Sequence, residues 1–164
     1  MKLKIPLLPS CFICYGGYKP PTNAKRLMTN AKGYFKFERL DVWKDARVFI
    51  SLVYKITSTF PKEEQFGLIN QIRRAAVSIA LNIAEGSIKG SDLDLKRFLR
   101  ISLGSINEVI SAFYIALDQE FLDENKFKEI YDSALKLNAR LNAFINSISR
   151  SSNLSHSSFV VSQS

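Results

Sequence analysis

The chain has 164 residues, of which 46% are hydrophobic, and a formal net charge of +8. This length predicts one domain with enough apolar side chains for a buried core. Residues 1–37 contain seven Lys and Arg side chains and no Asp or Glu, whereas residues 38–164 contain 16 basic and 15 acidic side chains. The basic character therefore belongs to the first segment, and a folded domain in the remainder is nearly neutral.

The two ends of the chain differ in composition from its middle. Residues 1–37 contain proline and glycine without sustained periodicity, which predicts a flexible basic leader, and residues 149–164 are rich in serine, which predicts a disordered tail. The ordered pattern begins shortly after Met28, so we expect translation to start there and residues 1–27 to be an upstream addition. Cys11 and Cys14 form a C-x-x-C pair without the βαβ context of a redox site or two further zinc ligands nearby.

Residues 38–148 carry four amphipathic patterns in which apolar residues recur at steps of three and four. The predicted helices run from about Asp41 to Ser58, Lys62 to Ile88, Ser91 to Leu117 and Asp123 to Ile148. No strand pattern occurs in this part of the sequence. The short connections and the 3.5-residue repeat predict an all-α, antiparallel, up-down-up-down four-helix bundle with disordered N- and C-terminal tails.

The second and third helices carry more apolar surface than one core stripe requires. A second stripe predicts an apolar interface between copies of the chain. A wide core that faces two neighbouring helices is the alternative explanation. The residues of this predicted apolar interface are Val77, Leu81 and Ile88 on the second helix and Leu103, Ile110 and Tyr114 on the third.

A polar stripe lies beside the apolar ones on the second helix, because spacings of three and four place its members on one face. It predicts a hydrogen-bonded network between helices or subunits, in which Glu108 of the third helix pairs with Arg73 or Arg74. A solvated face is the alternative. The members of the predicted network are Gln71, Arg74, Ser78, Asn82, Glu85 and Glu108.

Basic residues concentrate around the connection between the second and third helices, whereas residues 118–132 are mainly acidic. Such a polarised surface predicts contact with the phosphates of RNA or DNA, or head-to-tail stacking of subunits. Ordinary solvated helix ends are the alternative. The possible nucleic-acid contacts are Arg73, Arg74, Lys89, Lys96, Arg97 and Arg100.

The composition of residues 38–148 argues against several function classes. This region has no histidine or cysteine, no Glu-x-x-His pair for a di-metal bundle and no phosphate-binding loop. We therefore expect no enzymatic activity, no metal and no cofactor. No stretch of 18–20 apolar residues was found in the sequence, so we expect no membrane span. The absence of cysteine from the domain fits the cytoplasm.

Several short blocks together resemble the bacterial four helix bundle proteins, also called the 23S rRNA-intervening sequence protein family. They lie within about residues 37–148 and include LDVWKDA at 40–46, Phe60-Pro61, Phe66-Gly67-Leu68, QIRRAAVSI at 71–79, NIAEG at 82–86, Phe98-Leu99 and Gly104-Ser105 with Glu108. The combination is specific, although each block alone is not.

This resemblance implies a four-helix bundle that forms a homopentamer in the bacterial cytoplasm and has no known enzymatic activity. Some members of the family are encoded within insertions in large-subunit ribosomal RNA genes. A similar bundle acts as the accessory protein of diversity-generating retroelements, where it binds a reverse transcriptase and nucleic acid. The sequence therefore predicts an oligomeric scaffold or interaction protein, with a nucleic-acid-binding accessory protein as the alternative.

Overall fold

The computed structural model describes the backbone of residues 34–160 and the side chains of residues 34–149. Most of the predicted leader, with Cys11 and Cys14, lies outside these residues. The helices are α1 (Asp41–Thr57), α2 (Leu68–Ile88), α3 (Asp92–Asp118) and α4 (Glu124–Val160), with 3-10 turns at Lys36–Arg39 and Lys62–Gln65. No strand occurs between residues 34 and 160, and the predicted all-α class is confirmed.

Each helix packs against two others. Helices α1 and α3 both contact α2 and α4, and the diagonal pairs α1–α3 and α2–α4 do not pack against each other. Because short connections join helices that are consecutive in the chain, neighbours run antiparallel. This arrangement is the predicted up-down-up-down four-helix bundle.

The predicted helical stripes meet along the axis of the bundle. Burial of each large apolar side chain contributes roughly 1.5–3 kcal/mol to folding, so this layer supplies most of the stability. The largest fully buried apolar side chains are Phe49 and Val53 of α1, Ile72, Ile79 and Ile83 of α2, Leu99, Val109 and Phe113 of α3, and Ile130 and Leu141 of α4.

The start of α1 agrees with the prediction, whereas the start of α2 differs from it. Helix α1 has Leu40 as its N-cap, and Asp41 is the first helical residue and pairs with Lys44 at 2.8 Å. The predicted second helix is interrupted at Gly67, whose backbone angles (φ −96°, ψ −115°) are not helical. The segment before it forms a 3-10 turn, from which Glu64 accepts a hydrogen bond from the Leu68 N–H at 3.0 Å.

The start of α3 follows the sequence signal. Ser91 is the N-cap, and its hydroxyl oxygen accepts a hydrogen bond from the Asp94 N–H at 3.1 Å. The same hydroxyl donates to the Asp94 carboxylate at 2.7 Å. In a capping box, a glutamate at this position accepts a hydrogen bond from the backbone N–H of the N-cap residue. Asp94 has a shorter side chain and bonds to the Ser91 side chain instead.

The end of α3 is closed by a left-handed residue. Glu120 has a φ of 59°, which lets its N–H reach the Leu117 carbonyl at 2.9 Å and the Phe121 N–H reach the Ala116 carbonyl at 2.9 Å. These two bonds form a Schellman motif, in which glycine is the usual left-handed residue. The chain then turns directly into α4.

Helix α4 is longer than predicted. It begins at Glu124 and continues to Val160, whereas the apolar stripe predicted an end near Ile148. The last core contacts are made by Ile145 and Ile148, which are both buried. The segment assigned to a serine-rich tail starts at residue 149, and its side chains beyond that position lie outside the described residues.

In the part of the chain that the structure describes, α3 has the length and composition of a membrane-crossing helix, with a mean hydropathy of 1.2 over its most apolar window. This property of α3 was not anticipated by the prediction of no membrane span. Leu99, Val109 and Phe113 of α3 have no exposed surface. A core helix and a membrane-spanning helix share these properties, and 39% of the apolar window of α3 is buried inside the bundle.

Candidate interaction surfaces

Helices α2 and α3 approach each other along a line of small residues, which we call the α2–α3 seam and which includes Ser78, Gly86, Ser102 and Ser105. A Cβ atom at Gly86 would lie 2.8 Å from the Cβ of Phe98, so no larger residue fits without movement. The Ser102 hydroxyl donates to the Ile79 carbonyl at 3.0 Å. This bond crosses between the helices and satisfies a fully buried hydroxyl.

Part of the predicted polar network lies in this seam. The hydroxyls of Ser78 and Ser105 are 3.0 Å apart, and the Asn82 amide donates to the Ser78 hydroxyl at 3.0 Å. The Gln71 amide donates to the Glu108 carboxylate. The prediction missed Ser105, although a serine three residues after Ser102 continues the same face of α3.

Other members of the predicted network have different partners. The predicted pairing of Glu108 with an arginine is not found among the described residues, where Glu108 accepts a hydrogen bond from Gln71 instead. Arg73 points toward α1, where its Nε–H donates to Thr57 Oγ1 at 2.9 Å and its guanidinium lies 4.8 Å from the centre of the Tyr54 ring. Glu85 pairs with Lys89 at 3.2 Å instead of joining the seam.

The outer side of α2 carries an open groove of about 520 Å³, which we call the α2 groove. Leu81 is 63% exposed within it. Ile88, the last residue of α2, is 64% exposed and lies outside the groove lining. The predicted stripe did not include the groove residues Tyr54, Gln65 and Asn70. The groove is lined by Tyr54, Gln65, Asn70, Arg73, Arg74, Val77, Ser78, Leu81, Asn82 and Glu85.

A second groove of about 340 Å³ lies between α3 and α4, and we call it the α3–α4 groove. Tyr114 is 48% exposed there and Leu135 is 51% exposed. The Tyr114 ring packs on Phe127 with ring centres 4.6 Å apart, which fixes its orientation. The groove is lined by Ile106, Asn107, Ile110, Ser111, Tyr114, Tyr131, Ala134, Leu135 and Asn138.

The predicted apolar interface is therefore divided between two places. Val77 and Leu81 lie in the α2 groove, and Ile110 and Tyr114 lie in the α3–α4 groove. Leu103 is half-buried and packs against the core. This position agrees with the alternative explanation, a wide core that faces two neighbouring helices. The two grooves are separated by α3 and face different sides of the bundle.

The predicted basic cluster is also divided, and its placement around one hairpin is wrong. At a rise of about 1.5 Å per residue, Arg73 lies about 24 Å along α2 from Lys89. Lys89 is held by Glu85 and lies 5.1 Å from the centre of the Phe98 ring. Near the α2–α3 turn, Lys96 is half-buried, and Arg97 and Arg100 are exposed. None of these three basic side chains forms an ion pair with any described residue.

The described residues include no group of three or more His, Cys, Asp or Glu side chains that could hold a metal ion. Hydrogen bonds lower the pKa of Asp41 and Asp123, and burial raises the pKa of Asp45; none of these carboxyls lines either groove. Both grooves are lined by apolar side chains that are bordered by polar groups: amides and hydroxyls in both, and guanidinium groups in the α2 groove. This chemistry suits contact with another macromolecule.

Comparison with known proteins places the bundle among solved folds. It is similar to a crystal structure, at 1.70 Å resolution, of a protein of unknown function from the S23 ribosomal protein family of Bacteroides thetaiotaomicron VPI-5482. The TM-score is 0.57 at 23% sequence identity, and the match covers 63% of this chain and 97% of that chain. At this identity the likeness shows the fold alone.

The family model described as 23S rRNA-intervening sequence protein matches residues 38–143. None of the curated proteins matches the chain. The matched residues include α1, α2 and α3 and more than half of the sequence, and they contain the blocks on which the resemblance rests. The chain belongs to the 23S rRNA-intervening sequence protein family.

Proposed function

We propose that this protein is a homo-oligomeric scaffold or interaction protein without chemistry of its own. The observation that carries the proposal is the outer face of α2, where Leu81 and Ile88 are each more than 60% exposed. Monomeric proteins rarely leave large apolar side chains together at the surface. The resemblance to the family adds a copy number of five and a bacterial cytoplasmic location, with no membrane among the partners.

Burial of Leu81 and Ile88 between copies would favour association. Moving an exposed leucine or isoleucine out of water contributes about 1–2 kcal/mol at the exposures found here. Each copy in a ring contacts two neighbours, so a small binding free energy at one contact is repeated at every contact of the assembly. A second copy of the chain carries exposed apolar side chains of the same kind and is therefore a suitable partner.

Native mass spectrometry of the full chain at low salt tests this proposal. We expect a wild-type mass near five subunits and a shift to monomer in Leu81→Lys, because the lysine places a charge in the apolar contact. Leu93→Lys is the matched control, since Leu93 is 72% exposed and lines neither groove. A monomeric wild type, or equal loss of assembly in both variants, would overturn the proposal.

A nucleic-acid-binding accessory protein is the second candidate function. It is favoured by the guanidinium groups of Arg97 and Arg100, which are exposed three residues apart on α3 and therefore point to the same side. Each is free to contact a phosphate group. Repetition of this pair in an oligomer would join several modest contacts into a basic surface.

A further inference from the structure

The two grooves lie at the same level along the bundle. Helices α2 and α4 both begin at the end where α1 and α3 finish, because neighbouring helices are antiparallel. At about 1.5 Å per residue, Leu81 lies about 20 Å from the start of α2 and Leu135 about 17 Å from the start of α4. Two bundles placed side by side with parallel axes can therefore bring the α2 groove of one opposite the α3–α4 groove of the other.

The charges beside the two grooves are also complementary. Arg74 is exposed in the α2 groove, about 9 Å from the start of α2. Asp132 is exposed on α4, about 12 Å from the start of that helix and three residues before Leu135. Neither Arg74 nor Asp132 forms an ion pair with any of the described residues. A free charge thus lies near the exposed leucine of each groove, within the α2 groove for Arg74 and beside the α3–α4 groove for Asp132. Both charges lie on the side of the leucine toward the same end of the bundle.

We propose that the occupant of the α2 groove is the α3–α4 groove surface of a second copy of this chain. Leu81 packs against Leu135 and Tyr114 of the next copy, and Arg74 pairs with its Asp132. This inference rests on the proposed self-association and specifies which surfaces meet. The apolar side chains supply the attraction, and the charge pair fixes which end of one bundle lies beside which end of the other.

A contact between two α2 grooves related by a two-fold axis is the competing arrangement. Antiparallel α2 helices would place Arg74 of one copy near Glu85 of the other. Glu85 already pairs with Lys89 at 3.2 Å, whereas Asp132 has no ion-pair partner among the described residues. The two-fold contact would also leave Tyr114 and Leu135 exposed. The contact between unlike grooves covers both apolar surfaces, and it generates a closed ring when the rotation between copies permits closure.

Native mass spectrometry of groove variants tests the assignment. Leu135→Glu blocks the α3–α4 groove, and Leu81→Lys blocks the α2 groove, so we expect each variant alone to be monomeric. An equimolar mixture should form at least a mixed dimer, because each variant retains the groove that the other lacks. A wild-type oligomer that survives Leu135→Glu unchanged would overturn the groove assignment and leave self-association intact. A monomeric wild type would overturn both.

A charge reversal provides a second test with exposed residues whose replacement leaves the core untouched. Arg74→Asp or Asp132→Arg alone should weaken association about tenfold, and the double variant should recover most of this loss because the pair is restored in the opposite sense. Arg97→Asp is the matched control, since Arg97 is exposed and outside both grooves. Additive losses in the double variant, or no loss in either single variant, would overturn the pairing of Arg74 with Asp132.

Discussion

The carboxylate of Asp45 in α1 lies 2.6 Å from Nη1 of Arg140 in α4, joining the first and last helices of the bundle. The Asp45 side chain is 30% exposed, whereas that of Arg140 is 53% exposed. Burial raises the pKa of Asp45 above its ordinary value of 3.8, and the nearby guanidinium of Arg140 opposes this rise without cancelling it. The ionised carboxylate therefore loses more in hydration than it regains from its partner.

This balance predicts an unusual pH dependence for Asp45→Asn. Since the folded-state pKa is raised, Asp45 makes the folded protein less stable as pH rises from 3.8 through the raised value. The stability of Asp45→Asn relative to wild type should therefore increase over that window and stay constant at higher pH. Urea unfolding between about pH 3 and about pH 7 measures the difference.

Asp41→Asn is the control for this experiment. A hydrogen bond from Lys44 and its charge lower the pKa of Asp41 from 3.8, so Asp41 contributes stability above that value and loses it as pH falls. The relative stability of Asp41→Asn should change with pH in the opposite direction. If the difference in free energy of unfolding between Asp45→Asn and wild type did not change with pH, burial would not raise the pKa of Asp45 as stated.

Two glycine-to-alanine substitutions should have opposite effects. A Cβ at Gly86 would lie 2.8 Å from the Cβ of Phe98, whereas a Cβ at Gly104 has nothing within 4 Å. We expect Gly86→Ala to destabilise the fold by about 1–3 kcal/mol through overpacking. Gly104→Ala should stabilise it by about 0.5–1 kcal/mol, because alanine is the better helix former. Chemical denaturation measures both changes, and destabilisation by both would contradict the open space at Gly104.

The turn between α3 and α4 should be improved by glycine. Glu120 adopts a φ of 59°, a left-handed conformation that costs a residue with a Cβ about 1 kcal/mol relative to glycine. Glu120→Gly should therefore raise the free energy of unfolding by about 0.5–1 kcal/mol. Glu129→Gly, at an exposed helical position of α4, should lower it by about 1 kcal/mol. Thermal unfolding compares them, and destabilisation by both would argue against the left-handed conformation of Glu120.

Substitution of both exposed arginines of α3 tests nucleic-acid binding. Arg97→Glu/Arg100→Glu should weaken binding to a single-stranded RNA oligonucleotide and reduce the salt dependence of binding by about 0.7 per lost phosphate contact. Lys128→Glu/Lys136→Glu changes the net charge equally at exposed positions of α4. Fluorescence anisotropy over a salt series distinguishes the two variants. An equal loss of RNA affinity in both double variants would mean that net charge governs binding, and not the surface around Arg97 and Arg100.

The periodicity of the sequence was sufficient to predict the bundle. The steps of Ile72, Ile79 and Ile83 on α2 and of Ile130 and Leu141 on α4 follow directly from burial on one helical face, and these side chains have no exposed surface. The start of α2 was harder to predict. The pattern placed it near Lys62, whereas α2 begins at Leu68, after the non-helical Gly67.

The candidate surfaces were only partly predictable, because periodicity gives the face of a helix and not the partner on that face. Arg73 and Arg74 are consecutive and both line the α2 groove, but Arg73 is hydrogen-bonded to Thr57, 16 residues earlier in the chain, whereas Arg74 is exposed. Neighbours in sequence can therefore differ in their partners. Likewise, nothing local to Glu108 indicates that it pairs with Gln71, 37 residues earlier in the chain.

The centre of the α2–α3 seam is held by hydroxyl and amide groups, including the pair Ser78 and Ser105 at 3.0 Å. Such groups carry no net charge, so counterions do not screen them as they screen exposed ion pairs. The backbone under the α2 groove and under Arg97 and Arg100 should thus keep its geometry as ionic strength is varied. A salt titration of this protein will therefore report on what binds at its surface, and not on rearrangement of the hairpin beneath.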